Sequence, residues 1–259
     1  MSLTSAVCGR FFVILHPQTK TNNENITAKV LLINSSARPK GCTARALKEV
    51  EKTLQEQGIE TVWVNVGNKA VRGCVSCFKC QQLGKCVFDD LVNETAPLFA
   101  EADGIVVGTP VYYAHSNGGV LAFFDRLFFS CHCEKLMKVG AAVVSSRRAG
   151  STSAFDEINK YFTMTGMPIV SSTYWNEVHG YSQEDVEKDL EGLQTMRNLG
   201  RNMAFLIKSI ALGKEQMGLP EKEFGAFTNF MDGLSGETER SVEGAARAHF
   251  NGAGLGRKD

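Results

Sequence analysis

The segment formed by residues 29–50 constrains the fold more than any other part of the chain, because it combines a strand, a loop and a helix. Residues 30–33, VLLI, are an unbroken apolar run, which is typical of a parallel strand covered on both faces. A polar, glycine-containing loop occupies residues 34–42, and an amphipathic helix is predicted from Thr43, with Gly58 as its stop. The unpaired N–H groups and the positive dipole end of such a helix favour an anion bound in the loop.

The side chains of this loop narrow the class of anion. Ser35, Ser36 and Thr43 offer hydroxyl donors, and Arg38 offers a forked cation that matches phosphate oxygens. Gly41 allows close approach of the backbone. The spacing of this loop matches neither the dinucleotide fingerprint nor the nucleoside triphosphate fingerprint. An ordinary polar turn between strand and helix remains an alternative interpretation.

Composition predicts a globular protein and excludes several classes of partner. Of the 259 residues, 43% are hydrophobic and 22% are charged, which is enough to form a sizeable core. Lys plus Arg equals Asp plus Glu at 28 each, so neither nucleic acid nor an anionic membrane is an expected partner. No stretch approaches the ~20 apolar residues of a membrane span. The eight cysteines are clustered rather than scattered, which indicates a reducing, cytoplasmic setting.

Short apolar runs alternate with helical patterns through the middle of the chain. Further strands are predicted at residues 59–66, 104–109, 139–145 and 169–175. Further helices are predicted at residues 117–128 and 152–162, and as one long helix opened by a capping box of Ser182 and Asp185. Alternation of this kind predicts an α/β fold, a flavodoxin-like doubly wound five-stranded parallel sheet of order 2-1-3-4-5. Ligands of such sheets bind at the carboxyl ends of strands one and three.

The two ends of the chain differ in composition from this middle part. Residues 1–26 are predicted to be an N-terminal extension and residues 27–213 a single flavodoxin-like domain. Residues 214–259 are predicted to be a partly disordered C-terminal extension, in which Phe224 to Met231 could form a short docking helix.

The loop after the third predicted strand reads TPVYYAHSNGG at residues 109–119. Tyr112 and Tyr113 place flat aromatic surfaces next to the anion-binding loop, and Ser116 and Asn117 are predicted to cap the next helix. A phosphate cradle next to aromatic side chains fits a flat, phosphorylated heterocycle.

Three stretches together resemble the motifs of the NADPH-dependent FMN reductase family. SARPKGCTA resembles its phosphate loop, TPVYY with the later FFDR resembles its second flavin loop, and GCVSCFKCQQLGKCVFDD resembles the cysteine region of its iron–sulfur flavoprotein branch. The resemblance implies a set of residues that hold the FMN phosphate: Ser36, Arg38, Gly41, Cys42, Thr43 and Ala44. It implies a second set around the isoalloxazine ring: Pro110, Val111, Tyr112, Tyr113, Ser116, Ser145, Ser146, Arg147, Arg148 and Gly150. The chain departs from the pattern at Ser35, where glycine is usual, and at Cys42, where asparagine is common.

The resemblance implies an NAD(P)H-dependent oxidoreductase that passes electrons through FMN to a quinone, a flavin or another acceptor. No catalytic side chain is required, because the flavin carries the chemistry. Arg147 and Arg148 could stabilise the reduced ring, bind an incoming phosphate, or be solvated. Two alternatives stay open: an electron carrier of the flavodoxin or iron–sulfur flavoprotein type that works with a protein partner, and a redox-responsive binding protein. The resemblance also implies a homodimer or homotetramer.

The cysteine stretch follows C-x2-C-x2-C-x5-C, a spacing that could wrap one metal centre. Its members are Cys74, Cys77, Cys80 and Cys86. The first three are spaced as in bacterial ferredoxins, so a [4Fe–4S] cluster is favoured over zinc. Free thiols are an equal alternative, and the proline that closes the ferredoxin motif is replaced by Val87.

Three other polar positions favour structural roles. The Cys131-His132-Cys133 stretch predicts a buried or interface helix end rather than a metal site. His179 is predicted to make a structural hydrogen bond, and Asp89-Asp90 is predicted to cap the next helix.

Overall fold

A computed structural model describes residues 28–223, and it shows one five-stranded parallel sheet with helices on both faces. The strand order is β2-β1-β3-β4-β5, which confirms the predicted flavodoxin-like topology. The strands are β1 Lys29–Asn34, β2 Glu60–Asn65, β3 Gly104–Pro110, β4 Val139–Ser146 and β5 Glu177–His179. The helices are α1 Cys42–Glu56, α2 Cys80–Leu83, α3 Leu91–Glu101, α4 Gly118–Ser130, α5 Ser151–Met164, α6 Gln183–Val186 and α7 Leu190–Met217.

Strand β1 shows why the chain forms two hydrophobic layers. Leu32 packs in a cluster with α1 and α7, whereas its neighbours Leu31 and Ile33 pack in a second cluster with α3, α4 and α5. All three side chains are fully buried. Side chains of a strand point alternately to the two faces of its sheet, so an unbroken apolar run needs helices on both sides.

The fifth strand lies further along the chain than predicted. Residues 169–175 do not form it: Ile169 makes only an isolated bridge to Gly140, and β5 is Glu177–His179. The predicted segment carries Tyr174 and Trp175, which are both exposed. Its hydrophobic and β-branched residues suggest a strand, but the two aromatic side chains turn towards solvent instead of packing on the sheet.

The predicted long helix after Ser182 is two helices. The capping box of Ser182 and Asp185 is present, but it opens only the short helix α6. Helix α7 begins afresh at Leu190, where the side chain of Asp189 accepts a hydrogen bond from the Gly192 N–H at 2.9 Å. A local cap of this kind competes with continuation of the preceding helix, and it leaves Leu190 exposed at the start of α7.

The predicted cap at Asp90 is confirmed, since its carboxylate accepts a hydrogen bond from the Val92 N–H at the start of α3. Helix α7 continues to Met217 and crosses the predicted domain boundary at residue 213. The extension at residues 1–26, the docking helix near Phe224 and the disorder predicted for the last stretch lie outside the described residues. Within residues 28–223, no helix has both the length and the hydropathy needed to cross a membrane.

Candidate functional site

Three loops meet at the carboxyl edge of the sheet. They follow β1, β3 and β4 and comprise residues 35–41, 111–117 and 147–150. The hydroxyls of Thr43, in the first turn of α1, and Ser145, near the end of β4, lie 2.7 Å apart and so bring together the elements next to the first and third loops. The Val111 N–H donates to the carbonyl of Ser145 at 3.0 Å and joins the second loop to β4. The sequence-predicted loops are therefore neighbours in space.

The first loop is folded by its own polar groups. The Ser36 N–H donates to Asn34 Oδ1 at 3.1 Å, and the Arg38 N–H donates to Ser36 Oγ at 3.1 Å. The Gly41 N–H donates to the carbonyl of Arg38 at 3.0 Å, which closes the turn. The Arg38 side chain is exposed, so its guanidinium is available to a ligand at this edge.

The N-terminus of helix α1 has no side-chain cap. Gly41 is the N-cap residue, and the first turn contains no acidic side chain. The N–H groups of Cys42, Thr43 and Ala44 lie in that first turn, where a helix supplies no acceptor. Partial positive charge from these amides favours an anion such as phosphate at this point.

Two buried hydroxyls at the same edge lack partners, so the residues present fit a polar ligand. Within the described chain, Ser35 Oγ and Ser146 Oγ are buried and make no hydrogen bond. Ser35 directly follows β1 and Ser146 ends β4. A buried hydroxyl without a partner is unfavourable by about 1–3 kcal/mol. A phosphorylated ligand in this cradle would remove that cost.

The second loop presents aromatic surface on a tight turn. Tyr112 and His115 exchange two backbone hydrogen bonds of 2.9 and 3.0 Å. Between them, Tyr113 and Ala114 have φ values of +50° and +63°. Left-handed backbone is unfavourable for residues other than glycine. The turn leaves Tyr112 half exposed and Tyr113 99% exposed, so both rings are available to a partner or ligand.

The third loop packs against the second through a close backbone contact. Gly150 has φ +89°, and a Cβ at this position would lie 2.8 Å from the Cα of Ala114. Glycine is therefore required both by the backbone conformation and by the contact. Arg147 and Arg148 precede it and are exposed.

Two predicted cofactor contacts use their side chains elsewhere. The buried Ser116 hydroxyl donates to the carbonyl of Ala154 at 3.0 Å, and the helix cap is Asn117 alone, not the predicted pair. The Cys42 thiol contacts the carbonyls of Gly180 and Ser182 at 3.5 and 3.2 Å. These side chains hold the loops in place, and the Ser116 N–H is also engaged, since it donates to Glu157 Oε2 at 2.8 Å.

The hydrogen bond at His179 is made by its backbone and not by its imidazole. Its N–H donates to Asp189 Oδ2 at 2.7 Å, and its Nδ1 lies 3.9 Å from the same oxygen. The residue thus ties β5 to the start of α7.

The four cysteines of the predicted metal motif line a single small cavity of about 20 Å³. Cys80 is buried, Cys86 is half-buried, and Cys74 and Cys77 are exposed; all four are free thiols. Burial, together with repulsion from the other three sulfurs, raises the pKa of Cys80. In the described residues no cluster of histidine, cysteine or carboxylate side chains has metal-site geometry. The cavity has room for about one water molecule, so the loop would have to open to admit a cluster.

Arg126 fixes one wall of this cavity, and its position was not expected from the sequence. The FFDR stretch resembles part of the flavin loop, but the Arg126 guanidinium lies against the cysteine loop. Its Nε donates to Cys86 Sγ at 3.2 Å, and its two terminal nitrogens donate to the Asp90 carboxylate at 2.7 and 2.8 Å. The remaining two N–H groups donate to the carbonyls of Arg72 and Phe88, both at 3.3 Å.

The pair of Arg126 and Asp90 is stabilised by this geometry. Arg126 is 1% exposed. Burial acts to raise the pKa of Asp90, but the Arg126 guanidinium and the Val92 N–H outweigh it and hold that pKa below its usual value. All five donors of the guanidinium are used, which explains how a charged side chain is accommodated among the phenylalanines of α4. The burial of Arg126 has one signal in the sequence: Arg126 follows the buried Phe123 by three residues, which places both on the same helix face.

Comparisons with known proteins agree with this geometry. The family described as NADPH-dependent FMN reductase matches residues 28–181. An iron–sulfur flavoprotein of Methanocaldococcus jannaschii is 33% identical over 190 residues, which cover 70% of this chain and 98% of that protein. An iron–sulfur flavoprotein of Methanosarcina thermophila is 27% identical over 192 residues, which cover 73% of this chain and 100% of that protein.

Solved structures show the same fold at low sequence identity. RosB, solved with bound 8-demethyl-8-formylriboflavin-5'-phosphate, superposes with a TM-score of 0.58 at 14% identity, covering 80% of this chain and 94% of RosB. The apo form of the NADH:FMN oxidoreductase EMOB gives a TM-score of 0.51 at 17% identity, covering 71% of this chain and 90% of EMOB. Likeness at this level of identity concerns the fold alone.

Proposed function

Because the chain belongs to the NADPH-dependent FMN reductase family, and is therefore a flavin-binding oxidoreductase, we propose that it binds FMN at the carboxyl edge of its sheet and uses NAD(P)H as reductant. The proposed electron acceptor is a quinone, a free flavin or another small molecule. The observation that carries this proposal is the uncapped N-terminus of α1 beside buried hydroxyls without partners. FMN, when bound, supplies the electron-transfer chemistry.

The protein's own groups would bind and orient the cofactor. The Arg38 guanidinium, the Ser36 hydroxyl and the first amides of α1 would bind the phosphate. Tyr112 and Tyr113 would cover the ring, and N–H groups of the third loop would stabilise negative charge on the reduced ring. Because the Tyr113 side chain is almost fully exposed, we also propose that a second copy of the chain covers this turn in a homodimer or homotetramer.

Replacing Arg38 by alanine tests the phosphate assignment. We expect the FMN dissociation constant to rise at least about tenfold, about 1.4 kcal/mol, because a charge-assisted contact to phosphate is lost. Flavin fluorescence titration of the apoprotein measures it. Lys40→Ala is the matched control: it removes an exposed cation from the same loop, and its FMN affinity should stay close to wild type. Equal affinities for the Arg38→Ala variant and the wild type would contradict the assignment.

The four-cysteine cavity favours a second candidate function. We propose that Cys74, Cys77, Cys80 and Cys86 hold a [4Fe–4S] cluster, so that the protein could pass electrons from flavin to a protein partner. Support comes from the shared cavity and from relatives that are named iron–sulfur flavoproteins. Oxidation of NADPH by the purified protein with FMN and a quinone alone would favour the enzyme; a requirement for a partner protein would favour the electron carrier.

Replacing Cys80 by serine tests whether the four cysteines hold a cluster. For the Cys80→Ser variant, purified anaerobically, we expect loss of most bound iron and of its visible absorbance, because the buried ligand sulfur is gone. Iron and acid-labile sulfide are assayed per chain. Cys133→Ser, which removes a thiol outside the motif, should keep the wild-type iron content. Wild-type protein without iron under these conditions would refute the cluster and leave the flavin assignment intact.

A further inference from the structure

The turn after α4 brings two cysteine sulfurs into contact at the amino edge of the sheet. Cys131 is the C-cap residue of α4, and its Sγ lies 3.2 Å from the Sγ of Cys133. The Cys131 sulfur also lies 3.6 Å from the carbonyl of Ala96 in the middle of α3. Both residues are free thiols. Helix α4 runs from the second flavin loop to this turn, so the pair lies at the edge of the sheet opposite the proposed FMN site.

Two lysines make the surroundings of the pair electropositive. Lys135 Nζ donates to the carbonyl of Cys131 and, at 3.3 Å, to that of Cys133. Lys138 Nζ donates to the carbonyl of Ala100 at 2.9 Å on the neighbouring helix. Reactive thiols occur in environments of this kind, because cations stabilise the thiolate that acts as nucleophile.

The two sulfurs share one proton unequally. A hydrogen bond from Cys133, aided by the two lysines, outweighs burial and lowers the pKa of Cys131 to about 6. The same hydrogen bond and burial raise the pKa of Cys133. At neutral pH the pair therefore carries one thiolate and one thiol in contact, which is the arrangement that resolves a mixed disulfide.

Access differs between the two sulfurs. Cys131 is 6% exposed and packs against α3, whereas Cys133 is half-buried. Of the two residues, Cys133 is therefore the more open to a small oxidant from solvent.

From the sulfur contact, the two lysines and the access to Cys133, we propose that Cys131 and Cys133 form a reversible dithiol–disulfide site that exchanges with low-molecular-weight disulfides. A Cys133 thiolate, formed when the shared proton moves to Cys131, attacks one sulfur of the disulfide RSSR and releases RS⁻. The Cys131 sulfur then attacks the mixed disulfide at Cys133, forms the Sγ–Sγ bond and releases the second RS⁻. The protein loses two electrons and its one shared proton, and RSSR becomes two RS⁻, of which one takes up that proton and the other takes a proton from water. The exchange uses neither FMN nor the proposed cluster.

Trypsin releases the pair in one peptide, which makes the test direct. Cleavage after Arg126 and Lys135 gives LFFSCHCEK, residues 127–135, and cleavage after Lys40 and Arg45 gives GCTAR with the single Cys42. The full-length protein is equilibrated with mixtures of reduced and oxidised glutathione, quenched in acid, and alkylated with iodoacetamide under denaturing conditions. Mass spectrometry then reads both peptides.

We expect the LFFSCHCEK peptide to lose two hydrogens and to take up no alkyl group as the oxidised fraction rises, and to recover both alkyl groups under reducing mixtures. Cys42 in GCTAR serves as the internal single-thiol reference and should stay available for alkylation. Double alkylation of LFFSCHCEK at every mixture would overturn the proposal, as would a disulfide that joins this peptide to another.

A variant separates the two steps of the exchange. In Cys131→Ser the resolving sulfur is absent, so a glutathione adduct should accumulate on Cys133. Complete alkylation of Cys133 in this variant, with no adduct under oxidising mixtures, would overturn the assignment of Cys133 as the sulfur that reacts first.

Discussion

The Gly67→Ala variant is expected to lose FMN binding, with a dissociation constant raised at least about tenfold, or about 1.4 kcal/mol. A Cβ at this position would lie 2.1 Å from the carbonyl oxygen of Ser35 and 2.2 Å from the carbonyl carbon of Ser36. Those backbone atoms cannot move without displacing the phosphate loop, since Ser35 is itself bonded to β3 through Gly108. Flavin content after purification and fluorescence titration of the apoprotein measure the effect.

A second glycine in the segment between β2 and α2 supplies the control. Gly73 precedes the first motif cysteine, and a Cβ there meets nothing within 4 Å. Gly73→Ala should bind FMN like the wild type. If Gly67→Ala and Gly73→Ala bound the cofactor equally well, the loop that follows β1 would not be the phosphate site. Overpacking at position 67 should also lower the free energy of unfolding by about 1–3 kcal/mol.

The second large effect is expected at Arg126. Arg126→Met should lower the free energy of unfolding by about 3 kcal/mol, because it strands the Asp90 carboxylate and the carbonyls of Arg72 and Phe88. It should also reduce bound iron if the cysteine cavity holds a cluster, since the bond to Cys86 is lost. Urea unfolding and an iron assay on the same preparation report the two effects separately.

Arg72→Met is the matched control for this substitution. Arg72 stacks on the same Phe88 ring, with its guanidinium carbon 4.5 Å from the ring centroid, but its side chain is exposed. We expect its stability to change by no more than about 1 kcal/mol, the usual value of an exposed cation–π contact. An equal loss in the two variants would show that stacking on Phe88, rather than the pairing with Asp90, carries the stabilisation.

The sheet could be predicted from the sequence because its signals are local. Apolar runs such as residues 30–33 need cover on both faces, and alternation with helices then fixes a parallel sheet. The fifth strand was misplaced because residues 169–175 have strand composition, whereas pairing with β4 decides the outcome and selects Glu177–His179. Local propensity is weaker than a tertiary contact of that kind.

In the candidate site, too, one part could be predicted from the sequence and another could not. Loop positions at the carboxyl edge follow from the topology, so the three predicted flavin loops do converge. The direction in which a single side chain points does not follow, and the Cys42 thiol and the Ser116 hydroxyl bind backbone carbonyls instead. The placement of Arg126 depends on a contact with Asp90, 36 residues away in the chain, which spacing alone cannot predict.

The use of every Arg126 donor has a mechanical consequence for the cysteine loop. On the side of Cys86 the loop is anchored to α4 by Arg126 and to α3 by Asn93, whose amide binds the backbone of Cys86 through two 3.0 Å hydrogen bonds. On the side of Cys74 and Cys77 the thiols face solvent. The Cys86 side of the cavity is therefore fixed, and its Cys74 and Cys77 side is open to solvent. A bound group would enter and leave past Cys74 and Cys77 while Cys86 stays in place.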